Sequence, residues 1–135
     1  MNVVGIGTDI IECHRIAEMI EKHSDVFIDR VFTPGEVEYC GQRRSFVQHY
    51  AGRWAAKEAI LKAMGTGWSK GIKWRDLEIQ TLPGGQPVVQ LGGVAKEICE
   101  SKGISKMLIS ISHTQGYATA FATAIGSPLD NPAEE

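Results

Sequence analysis

Glu58 stands in an awkward place for a charged side chain. It lies within "WAAKEAILKAMG", residues 54–65, a run whose apolar spacing reads as a helix. On a wheel turning about 100° per residue with Phe46 at zero, Glu58 falls at about 120°, among Trp54, Val47 and Ala51 in the stripe that should face a core. Lys62 falls at the edge of that stripe, and Lys57, Arg53 and Met64 at its opposite border. A carboxylate removed from water costs several kcal/mol unless it is paired or protonated. Lys62, four residues on, supplies a cation in the favoured order, so a partly covered helical ion pair is the simplest reading of "KEAILK" alone.

A second carboxylate widens the possibilities. Asp9 stands where an apolar strand ends, beside Gly5, Gly7 and Thr8. An aspartate there can cap a following helix. If the strand instead packs on the long helix, Asp9 and Glu58 converge. Two carboxylates without a His or Cys cluster select a hard cation, Mg²⁺ before Zn²⁺. Mg²⁺ keeps several waters and usually also meets substrate phosphates. Lys57 and Lys62 then serve as point charges for phosphate oxygens. Gly65-Thr66-Gly67 lets backbone approach a ligand closely. It is not a P-loop, because it lacks GxxxxGK[ST] and follows a helix.

The elements that must position these residues follow from pattern. Residues 2–8 read as a strand and 12–22 as an amphipathic helix. Thr33-Pro34, with Glu36 at the third helical position, matches a capping box and opens a helix to Cys40 or Gly41. Ser45 begins the long helix that ends at Gly65. Residues 76–81 and 87–91 form a hairpin about Pro83-Gly84-Gly85. A helix over 93–102 closes at Gly103. Strands over 106–112 and 116–125 make a second hairpin. The expected fold class is α+β, a long helix packed on a mainly antiparallel sheet.

Composition sets the outer limits. The 135 residues suit one domain, 43% hydrophobic and 22% charged. A net charge of −2 without like-charge runs argues against nucleic acid as a partner. No apolar run has the length of a membrane span or the form of a signal peptide. Cys13, Cys40 and Cys99 fit no zinc or CxxC spacing and read as reduced thiols in a cytoplasmic protein.

Three motifs together, "GIGTDIIE" at 5–12, "RWAAKEAILKAMGTG" at 53–67 and "ISISHT" at 109–114, resemble the bacterial holo-[acyl-carrier-protein] synthases, the short type among the 4′-phosphopantetheinyl transferases. "FTPGE" at 32–36 and "GGQPVV" at 84–89 fit as well, and the likeness runs in order over residues 2–125. The polar, proline-containing segment 127–135 reads by composition as a disordered tail, and the resemblance implies a phosphopantetheinyl transferase domain over 1–126. It implies transfer of the phosphopantetheine arm of coenzyme A to a serine of apo acyl carrier protein, releasing adenosine 3′,5′-bisphosphate, in fatty acid biosynthesis. By the same resemblance Asp9 and Glu58 hold Mg²⁺. Glu58 and Lys62 carry the chemistry. Arg53, Lys57, Lys62, Gly65, Ser112 and His113 line coenzyme A, and Arg15 and Lys22 dock the acidic carrier. The serine proton is expected to leave through a water at the metal or through Glu58 by way of a water. The short type implies a homotrimer with sites at subunit interfaces. Two other classes match parts of the pattern. A non-catalytic coenzyme A or carrier-binding module need not keep both Asp9 and Glu58. A Mg²⁺-dependent nucleotide hydrolase would show more clustered carboxylates.

Overall fold

The computed structural model describes residues 1–69 and 71–127. In chain order the elements are β1 (Asn2–Glu12), α1 (Cys13–Val31), α2 (Pro34–Gly41), α3 (Phe46–Met64), β2 (Leu77–Thr81), β3 (Pro87–Leu91), α4 (Gly93–Ser101), β4 (Ile104–His113) and β5 (Tyr117–Gly126), with a 3₁₀ turn over Trp74–Asp76. The expected α+β class is correct. The strands form two antiparallel sheets, one ordered β1-β5-β4 and one the β2-β3 hairpin.

The three-stranded sheet lies directly on α3, and its sequence explains how. Inner positions of β5 are Ala118, Ala120, Ala122 and Ala124, all buried. In β1 even an alanine is too large at two positions. A Cβ on Gly5 would sit 2.0 Å from the Ala63 carbonyl oxygen, and one on Gly7 would sit 2.0 Å from that of Ala59. Alternate residues of a strand share a face, so Gly5 and Gly7 bring Asp9 against the same helix. Asp9 is not at the strand's end as expected. β1 continues to Glu12, and Asp9 pairs with Ala120. The first helix is likewise longer than expected. It runs to Val31 through a kink at Ser24, whose φ of 42° breaks the regular helix.

α2 opens as the sequence foretold. Thr33 Oγ1 accepts from the Glu36 N–H at 3.3 Å, and Glu36 Oε1 accepts from the Thr33 N–H at 2.9 Å. α3 differs from its helical-wheel reading. From Tyr50 to Met64 every residue is buried except Trp54, Glu58 and Lys62. The sheet covers one side of α3, and α1, α2 and β2 contact the remainder. The line through Trp54, Glu58 and Lys62 is therefore the opening of the helix and not its core stripe. A wheel gives the angle of a residue but not which side a second layer covers.

Candidate active site

The opening of α3 faces a cavity of about 610 Å³ lined by Asp9 and Ile10 from β1, Arg15, Met19 and Lys22 from α1, and Trp54, Glu58 and Lys62 from α3. The glycine-permitted contact between β1 and α3 thus brings Asp9 and Glu58 to one place. The anticipated Glu58–Lys62 pair does not form. Lys62 Nζ turns instead to the Thr8 carbonyl at 2.9 Å and to Asp9 Oδ1 at 3.3 Å. Glu58 Oε1 accepts from the indole N–H of Trp68 at 3.2 Å. Burial raises the pKa of Glu58, the Trp68 hydrogen bond opposes that rise, and the Asp9 charge adds to it.

These two carboxylates suit a hard divalent cation. They supply oxygen donors only, and among the described residues no group of three or more His, Cys, Asp or Glu side chains surrounds a common point. A cation held by two carboxylates keeps coordination positions for water and phosphate, as Mg²⁺ does. It would also relieve the repulsion that Asp9 exerts on Glu58. Arg15 and Lys22 line the same cavity, so the residues expected to dock a carrier adjoin those expected to hold the metal.

The structure corrects the expectation for Lys57. Its side chain is 0% exposed. The ammonium donates to Glu36 Oε1 at 2.8 Å, the Val31 carbonyl at 2.6 Å and the Trp74 carbonyl at 3.2 Å. Glu36 Oε2 accepts from the Ile79 N–H at 2.9 Å. All three ammonium protons have acceptors, leaving none for a phosphate. Burial lowers the pKa of Lys57 and the Glu36 charge opposes that. The carboxylate that caps α2 is thus also the counter-ion of α3.

Arg53, Ser112 and His113 are also absent from the Asp9 cavity. β4 is separated from β1 by β5, roughly 10 Å at two strand spacings. Arg53 and His113 belong to a second cluster, with three residues that sequence reasoning missed. The Arg53 guanidinium lies 4.2 Å from the Tyr39 ring centroid and the Arg43 guanidinium 3.5 Å from it. His49 stands edge-on to Tyr39, and the His49 and His113 ring centroids are 5.3 Å apart. Among the described residues neither guanidinium pairs with a carboxylate. Arg53 Nε is buried with no hydrogen-bond partner among them. The pKa of His49 is lowered first by burial, then by His113, Arg43 and Arg53. So much uncompensated positive charge suits an anion. The i, i+4 spacing of His49 and Arg53 was the available signal for this line. Ser112 is exposed on the outer sheet face. Gly65 ends α3 in the left-handed region, at φ 77°, and turns the chain out of the helix.

Comparison with known proteins gives the family. The chain belongs to the 4′-phosphopantetheinyl transferase superfamily, whose family model matches residues 5–122. Within it the chain is similar to holo-[acyl-carrier-protein] synthases. The one from Protochlamydia amoebophila is 49% identical over 119 residues, 88% of this chain and 95% of that protein. The structure of the Neisseria meningitidis enzyme superposes with a TM-score of 0.85 at 34% identity, covering 92% of this chain and 99% of that one. The Helicobacter pylori enzyme, solved in complex with coenzyme A, gives 0.79 at 30% identity, covering 89% and 99%.

Proposed function

We propose that this chain moves the 4′-phosphopantetheine group from coenzyme A to a serine of apo acyl carrier protein, yielding holo carrier and adenosine 3′,5′-bisphosphate for fatty acid biosynthesis in the cytoplasm. The observation that carries this reading is the convergence of Asp9, Glu58 and Lys62 on one cavity in a chain of this family. In the reaction the serine oxygen forms a bond to the β-phosphorus, and the bond from that phosphorus to the bridging pyrophosphate oxygen breaks. Such a transfer needs positioning and charge neutralisation more than covalent catalysis. Asp9 and Glu58 would hold Mg²⁺, which when bound supplies positive charge to the pyrophosphate as its leaving oxygen gains charge. Lys62 adds a mobile ammonium at the same place. Glu58 takes the serine proton through a water. Arg15 and Lys22 give the rim of the cavity basic groups that suit an acidic partner.

The cluster of Arg43, Arg53, His49 and His113 would take the remaining phosphate at the nucleotide end. One chain holds that cluster and the Asp9 cavity at opposite edges of the sheet, β4 and β1, so a ligand bridging both calls for a second copy. The outer sheet face supports this. Ile6, Ile10 and Phe121 are 64%, 66% and 54% exposed on it. A contiguous apolar face of this kind marks an interaction surface, and a homotrimer with sites between subunits accommodates both features. Among the described residues no helix is long and apolar enough to cross a membrane.

The test is the intact mass of an apo acyl carrier protein after incubation with this protein, coenzyme A and Mg²⁺. A gain of one phosphopantetheine arm, abolished by EDTA, is expected. A folded protein that binds coenzyme A but transfers nothing to several carriers would instead be a binding module.

A further inference from the structure

We propose that Trp68 is a positioning residue for Glu58, its indole N–H fixing one carboxylate oxygen so that the other is presented to the cation site beside Asp9. This rests on reading Asp9 and Glu58 as a divalent-cation site.

Glu58 is half-buried on α3, and its one hydrogen-bond partner among the described residues is the Trp68 indole, at 3.2 Å. The lysine spaced to hold it, Lys62, is turned to Thr8 and Asp9. No described residue bonds Glu58 Oε2. An ionised carboxylate has about four acceptor sites, and an indole is a donor only. The indole is also uncharged. It can orient the carboxylate without competing electrostatically with a cation, as a lysine in its place would.

The indole is itself held. Its ring lies 3.8 Å from that of Trp74, and Trp74 lies 4.3 Å from Trp54 by ring centroids. The three tryptophans of the chain form one stack, and Trp54 lines the cavity that holds Asp9 and Glu58. The Trp74 carbonyl accepts from Lys57. Two consecutive residues of α3 therefore grip one segment at two points, Lys57 at Trp74 and Glu58 at Trp68. Gly67 at φ 59° and Gly71 at φ 84° flank Trp68. Both lie in the region that glycine adopts freely, which lets so short a loop return the indole to the helix it has just left.

Trp68→Phe keeps an aromatic ring in the stack and removes the donor. Mn²⁺ binding to the free protein, followed by electron paramagnetic resonance, should weaken roughly tenfold, as for loss of a group that orients a metal ligand. In the transfer assay the Mg²⁺ concentration for half-maximal turnover should rise by a similar factor. KM for coenzyme A should stay within about twofold and turnover should recover at saturating Mg²⁺, a split that a general structural loss would not give. Should Trp68→Phe fail to fold, β-(3-benzothienyl)alanine introduced at that position replaces only the N–H by sulfur. Wild-type Mn²⁺ affinity in either folded variant overturns the proposal while leaving the transferase reading intact. A wild-type protein that neither binds Mn²⁺ nor transfers the arm overturns both.

Discussion

Two lines of side chains run along α3 at four-residue spacing, His49–Arg53–Lys57 and Trp54–Glu58–Lys62, and they meet different fates. On the first, Lys57 is enclosed and fully paired, with Glu36, Val31 and Trp74 around its ammonium. On the second, Lys62 keeps its side chain 55% exposed while its ammonium pairs with Asp9 Oδ1 at 3.3 Å. A lysine within the fold needs a counter-ion from the fold. A lysine meant for a ligand must keep its ammonium within reach of that ligand. The same helix does both because one line faces other elements and the other faces a cavity. Arg53 and His49 sit between these cases, close to the covered layer but without a carboxylate.

The comparison breaks most sharply on its two lysines. Lys57→Met would leave the Glu36 carboxylate buried without its cation and should cost about 3–5 kcal/mol, read as a lower midpoint of urea unfolding. Lys62→Met should change stability by less than about 1 kcal/mol while slowing transfer of the arm. Equal unfolding behaviour of the two variants would erase the distinction.

Next in size is Glu58→Gln, which keeps shape but removes the charge. Turnover should fall roughly 100-fold or more, with unfolding little changed. Near wild-type turnover would remove Glu58 from the chemistry and leave it as a partner of Trp68.

Arg43→Ala probes the cluster at the β4 edge of the sheet. Losing a hydrogen bond between charged groups should raise KM for coenzyme A by roughly tenfold or more, and KM for a donor lacking the 3′-phosphate should move much less. Equal changes for both donors would place that phosphate elsewhere.

The smallest effect expected is on protons. His49 titrates below its ordinary 6.5 through burial and the nearby positive groups. An anion seated among them stabilises the protonated ring and raises its pKa. Binding of coenzyme A near pH 6 should therefore take up protons, measured by calorimetry in buffers of different ionisation enthalpy. His49→Phe should diminish the uptake. Without ligand the sign concerns stability. The unfolded chain binds more protons than the folded one between the lowered value and 6.5, so this residue's contribution weakens as pH falls through that window.

Much of the fold was legible in order along the chain. The α2 capping box, the long helix ending at Gly65 and both hairpins follow from local rules of capping, period and turn chemistry. The convergence of Asp9 and Glu58 was legible on the condition that the strand pack on the long helix, and both line one cavity. The cluster of Arg43 and His49 with His113 was not. His113 comes from a strand more than sixty residues away, and no periodicity carries that information.

By itself, then, the sequence determined the elements and most of their ends, those of β1 and α1 excepted. Gly5 and Gly7 also fixed, through the absence of two Cβ atoms, how closely β1 could approach α3. Only the tertiary structure decided which lysine became internal, because a helical wheel records angle while burial depends on the layer that arrives from elsewhere. It likewise decided that Glu58 would be held by an indole from the following loop and not by the lysine one turn along its own helix. Once Asp9 had been brought against α3, Lys62 had a second carboxylate within reach.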